Sequence, residues 1–252
     1  MPMSGPERWV VLSSRVMSKP SLRRRRIASL DVFEIPGTEQ GPVVVLFHGF
    51  GADASDLASL SQVLKGAPGT TWIFPNGHQK VEIGPHTEGR AWFPISLAAL
   101  EAAQSSGQNS GQTIDLSELQ PPGLKKAREL VFEMLKALNV PMSRIILGGF
   151  SQGAMLATEV TLRLKEKPAG LAILSGALVN ATEWRKMALE MPGFKFYQSH
   201  GNRDLILKHD GALKLERLFK DAGWIGKLQT FNGGHEIPFE VISQLDNFLR
   251  KL

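Results

Sequence analysis

Apolar positions along this chain fall into two patterns that take turns. Val43-Val44-Val45-Leu46-Phe47 is an unbroken β-branched and apolar run, as expected of a parallel strand buried on both faces. Four more short runs resemble it: Thr71–Phe74, Arg144–Leu147, Leu171–Leu174 and Phe194–Tyr197. A further run, Lys227–Phe231, is more polar and is expected at a sheet edge. Between the runs the period lengthens to that of a helix. Leu124, Ala127, Leu130, Val131, Met134, Leu135 and Leu138 share one face of a helix over 124–138. Similar patterns cover 55–64, 151–165, 182–189, 211–222 and 238–252. Strands alternating with helices predict an α/β fold, with a mostly parallel central sheet covered by helices on both faces in one domain over 27–252.

Two stretches fall outside this alternation. Residues 1–26 contain Pro2, Pro6 and Pro20 without any sustained period, and read as a loosely ordered basic N-terminal segment. Just after them, 26–35 alternates and ends at Pro36-Gly37, which predicts an edge hairpin strand. The second stretch is 96–123, where Gln104 to Gln112 is polar and of low complexity and cannot bury a core. It reads either as a surface loop near the functional site or as a plain insertion.

Composition narrows the chemistry. With 42% hydrophobic residues in 252, the chain can bury a sizeable core. The absence of cysteine excludes disulfides and a thiolate nucleophile, and restricts any metal site to histidines and carboxylates. Arg23, Arg24, Arg25 and Arg26 nearly supply the net charge of +5. Such a run can grip nucleic acid or an anionic membrane surface. It has no interleaved aromatics and no zinc-finger or RNP-like pattern, so a solvated segment is expected and no nucleic-acid partner. No apolar run approaches the roughly 18 residues of a transmembrane helix. Trp9–Leu12 is too short for a signal peptide, whose apolar stretch takes about 7–15 residues. A cytoplasmic location is the default expectation, and a homodimer is left open.

Gly149-Phe150-Ser151-Gln152-Gly153 matches the G-x-S-x-G nucleophile elbow, with an apolar strand leading in and an amphipathic helix leading out. The turn must hold the serine in a strained conformation, and the flanking glycines remove side chains that would collide there. A serine hydroxyl needs a general base, and in this arrangement the acid and then the histidine should follow it in the chain. Of His200, His209 and His235, only His235 lies in a loop between the last strand and the last helix. Asp204, just past the strand at 194–197, is the preferred acid; Asp210 is expected to cap a helix, and Asp221 lies near that helix's end. Oxyanion-hole N–H groups are expected from Gln152 and from the loop His48-Gly49-Phe50-Gly51, where His48 is read as loop-stabilising.

Four motifs together resemble those of the small carboxylesterases, lysophospholipases and acyl-protein thioesterases of the α/β-hydrolase superfamily. They are Leu46-Phe47-His48-Gly49-Phe50-Gly51-Ala52-Asp53, the GFSQG of 149–153, His200-Gly201-Asn202-Arg203-Asp204, and Gly233-Gly234-His235. The resemblance spans roughly 27–250 and implies a carboxylesterase with a Ser151–Asp204–His235 triad and oxyanion donors at Phe50 and Gln152. It further implies an ester or acyl-thioester substrate, Trp92 and Phe93 beside the substrate groove, and no cofactor or metal. The chain departs from it at Leu205-Ile206-Leu207-Lys208, where many members carry prolines, at Gly233-Gly234-His235, and at Pro94, where the family commonly has aspartate. Thioester and lysophospholipid substrates are close alternatives. A non-catalytic binding protein on the same fold would normally have lost a triad member, and this chain keeps all three.

Overall fold

The computed structural model describes residues 21–95 and 116–252. Ten strands are present among these: β1 (Arg23–Ile27), β2 (Leu30–Ile35), β3 (Val43–Phe47), β4 (Thr71–Pro75), β5 (Gln79–Gly84), β6 (Thr87–Ala91), β7 (Ile145–Phe150), β8 (Gly170–Leu174), β9 (Phe196–Gly201) and β10 (Leu228–Phe231). The helices are α1 (Ala54–Ala58), α2 (Leu124–Leu138), α3 (Gln152–Arg163), α4 (Ala181–Ala188), α5 (His209–Asp221) and α6 (Phe239–Leu249). Eight strands form one sheet in the order β1-β2-β4-β3-β7-β8-β9-β10, while β5 and β6 form a separate hairpin. Strand pairings in the large sheet are parallel from β4 to β10, and antiparallel for β1–β2 and β2–β4.

Alternation along the central strands explains why β3 carries no polar residue. Val43, Val45 and Phe47 face one core, with residues of α2, α3, α4 and α5. Val44 and Leu46 face the other, under α1 and α6. Helix α3 is anchored by Glu159, a buried carboxylate that bonds Arg128 of α2, Arg163 of its own helix and the indole N–H of Trp184 in α4. That anchoring matters because α3 begins one residue after Ser151.

Several expectations are corrected. Arg23–Arg26 belong not to a loose lead-in but to β1, an antiparallel edge strand in which Arg25 pairs with Glu34 and Arg26 with Asp31. The run at 194–197 is displaced: the strand runs from Phe196 to Gly201 and so includes His200. The helix over 55–64 is one short α-helix, 54–58, continued as a 3-10 turn over 59–62. Asp210 lies inside α5 and pairs with Lys214; the cap position is held by Lys208. The β5–β6 hairpin was not foreseen. The polar stretch 104–112 lies outside the described residues.

Candidate active site

Ser151 links β7 to α3 with φ 54° and ψ −118°, a left-handed backbone that is costly for a residue with a Cβ. Its N–H donates to the Leu174 carbonyl of β8 at 2.9 Å, tying the turn to the sheet. Gly153 lets the helix start this close: a Cβ there would lie 2.0 Å from the Phe47 carbonyl oxygen. Ser151 is therefore held at the carboxyl edge of the parallel strands, where loops from several strands converge.

His235 and Asp204 arrive on separate loops that the sheet brings together. Gly201, ending β9, allows the 233–235 loop to pass against it, since a Cβ on Gly201 would lie 2.2 Å from the Gly234 carbonyl oxygen. The Asn202 and Arg203 N–H groups then donate to Phe231 and Gly233, both at 2.9 Å. The outcome is a 2.6 Å hydrogen bond between His235 Nδ1 and Asp204 Oδ2. Asp204 Oδ1 accepts the N–H groups of Ile206 and Leu207, each at 2.8 Å. Burial alone would raise the Asp204 pKa, but hydrogen bonds from His200, His235 and Leu207 outweigh it and hold the carboxyl well below the usual carboxylate range. His235 also packs on the Phe150 ring, with centroids 4.8 Å apart.

On the far side of Ser151 lies the 48–52 loop. Its backbone is laced to β6 by Gly51 N–H to the Arg90 carbonyl (2.9 Å) and Arg90 N–H to the Ala52 carbonyl (2.8 Å). His48 locks the loop's base: Nδ1 donates to the Gly49 carbonyl (2.7 Å) and Nε2 accepts the Gly77 N–H (2.9 Å). Burial depresses its pKa to about 4, so the imidazole is neutral, as its two bonds require. The Phe50 and Gln152 N–H groups have no protein hydrogen-bond partner among the described residues.

Ser151, His235 and Phe50 line one cavity of about 760 Å³. Its wall is otherwise largely aliphatic, with Leu119, Met155, Val179 and Ile206 among the contributors. Ile95 and Leu116, which flank the 96–115 segment, both lie on this wall.

The pair Trp92-Phe93 divides. Phe93 lines the cavity, whereas Trp92 is buried beneath it, edge-on to Phe47 and donating its indole N–H to the His48 carbonyl at 2.9 Å. The side chain of Gln152, fully buried, holds both residues: its Oε1 accepts the Trp92 N–H (2.9 Å) and its Nε2 donates to the Phe93 carbonyl (2.7 Å). Sequence reasoning assigned Gln152 only a backbone role, because nothing local marks a partner some sixty residues away. His200, set aside as a weaker base, stands directly behind Asp204.

A family model described as phospholipase/carboxylesterase matches residues 30–252. Acyl-protein thioesterase 1 of Candida albicans is 24% identical over 237 residues, covering 89% of this chain and 98% of the relative. The protein of the same name from Kluyveromyces lactis is 29% identical over 218 residues, covering 83% and 91%. Among solved structures, esterase PE8 superposes with a TM-score of 0.71 at 25% identity, over 86% of this chain and 96% of that one. The Bacillus cereus carboxylesterase, at 16% identity and a TM-score of 0.64 over 89% and 95%, shares the fold. This chain thus belongs to the phospholipase/carboxylesterase family of α/β-hydrolases.

Proposed function

We propose that this protein is a carboxylesterase that cleaves carboxylic esters through Ser151, His235 and Asp204, by way of an acyl-enzyme. The observation that carries the reading is the 2.6 Å His235–Asp204 bond on the wall of a cavity that the strained Ser151 also lines. With Nδ1–H given to an ionised Asp204, His235 keeps its Nε2 lone pair for the Ser151 proton. The Ser151 oxygen then attacks the acyl carbonyl. The oxyanion takes the N–H groups of Phe50 and Gln152, each typically worth about 3–4 kcal/mol. His235 passes its proton to the departing alcohol, and water, activated in the same way, releases the acid and frees Ser151.

The aliphatic wall favours an apolar acyl group, with Phe93 as part of its binding surface and Trp92 as its support. A thioester substrate is the second reading, favoured by relatives named acyl-protein thioesterase 1. The same acyl site would accept a lysophospholipid. Turnover of acetyl and palmitoyl p-nitrophenyl esters, beside a palmitoyl thioester and a palmitoyl lysophosphatidylcholine, separates these readings and should favour the long chains. Ser151→Ala should lower kcat on the order of 10⁴-fold or more. A Ser151→Ala variant with wild-type turnover, or a fluorophosphonate that labels elsewhere than Ser151, would overturn the mechanism.

A further inference from the structure

One buried titratable group has no part in the steps above. His200, near the end of β9, is fully shielded from solvent. Its Nε2 lies 2.7 Å from the Leu207 carbonyl oxygen and 3.2 Å from Asp204 Oδ2. A carbonyl can only accept, so Nε2 carries a hydrogen, and that hydrogen is shared with the carboxylate. Nδ1 has no partner among the described residues, so adding a proton there would bury an unpaired charged donor. The ring is therefore the neutral Nε2–H form. Because Asp204 Oδ1 is occupied by two backbone N–H groups, His200 and His235 share the remaining oxygen, Oδ2.

We propose that His200 is a positioning residue for the hydrolysis, whose Nε2–H clamps Asp204 Oδ2 and the Leu207 end of the 204–207 turn and thereby sets the orientation and basicity of His235. This rests on the Ser151–His235–Asp204 reading. A carboxylate oxygen that accepts two hydrogen bonds offers less charge to either donor. Without His200, Asp204 would hold the imidazolium form of His235 more tightly, and His235 would become a competent base only at higher pH. The other titratable groups nearby are occupied on neighbouring elements. His209, whose ring lies 6.0 Å from that of His200, bonds the Thr230 hydroxyl at 2.8 Å. Asp210 follows it on α5 and pairs with Lys214, and Glu236 accepts the Gly234 N–H in the His235 loop. Burial holds the His209 pKa below its ordinary value, so the acid limb is read as the difference between each variant and the wild type, in all of which His209 is unchanged.

The test compares His200→Leu and His200→Gln in the full-length protein, reading kcat, KM and the pH dependence of kcat/KM on a p-nitrophenyl ester. Glutamine places an amide N–H near the position of Nε2 but cannot titrate. The leucine variant should lose about tenfold in kcat with little change in KM, and its acid limb should move to higher pH by roughly half a unit or more. The glutamine variant should keep the wild-type limb and most of kcat. A folded leucine variant with wild-type kcat and limb overturns the proposal, as does a glutamine variant whose limb follows that of leucine. Should the leucine variant fail to fold, His200→Asn, too short to reach Asp204 Oδ2, takes its place with the same expected losses and the same overturning results. Activity surviving Ser151→Ala would instead overturn the hydrolytic mechanism itself, so the two failures are distinct.

Discussion

His48 shows how a single buried ring can hold a site in place and also limit the conditions under which it persists. Its Nδ1 donates and its Nε2 accepts, so only the neutral imidazole satisfies both partners. The unfolded chain takes up a proton near 6.5, the ordinary value for histidine, while the folded ring resists until about 4. Between those values the unfolded state binds more protons, so stability falls as pH drops through that window and is retained above it. The loss attributable to His48 should reach about 3 kcal/mol by its lower end. Urea unfolding from neutral to mildly acidic pH measures this. His48→Gln, whatever its stability at neutral pH, should lose much of the slope; identical slopes would show that His48 contributes none of it.

Among the elements, strand β3 and helix α3 depend on an approach that a single methyl group would prevent. A Cβ on Gly153 would meet the Phe47 carbonyl oxygen, which is backbone and cannot swing away. Gly153→Ala should therefore destabilise the protein by about 3 kcal/mol, read as a fall in the denaturation midpoint, and should also weaken esterase activity by displacing the Gln152 N–H. The same elements show what a sequence can disclose. β3 was legible because burial on both faces leaves no polar position in it. β9 was misplaced because Gln198, Ser199 and His200 are buried, with the Gln198 amide and the His200 ring held by backbone carbonyls outside the strand, and hydropathy has no signal for that. β1 looked like a solvated tail because its arginines are exposed, and exposed cations are what protect an edge strand from pairing with another chain. The β5–β6 hairpin, mostly exposed, carries no alternation strong enough to read.

For the molecule as a whole, the order Ser151, Asp204, His235 was legible because the loops at the carboxyl ends of the strands appear along the chain in that order. The clamps around them were not. Gln152 on Trp92-Phe93 joins residues whose proximity exists only after the sheet forms, and His200, though four residues from Asp204, reaches its Oδ2 only once the turn brings the Leu207 carbonyl onto the same Nε2. Cavity shape was equally hidden, since its wall draws on β5, α3 and the segments around 93–95, 116–122 and 206–207. The site thus belongs to no single element.

That dispersal has a consequence for how the protein comes into being. The proposed nucleophile lies at position 151, but its proposed base lies at 235, only a few residues before the last helix, α6. A chain still emerging from the ribosome, or one cut short after β8, would carry Ser151 without a group to activate it, and should be chemically silent. Reactivity toward a fluorophosphonate is then a clock for the completion of folding. In refolding from urea, labelling should return together with the tryptophan fluorescence change of the whole domain and not before it. Labelling that precedes that change would show that the pieces of the site can assemble without the rest.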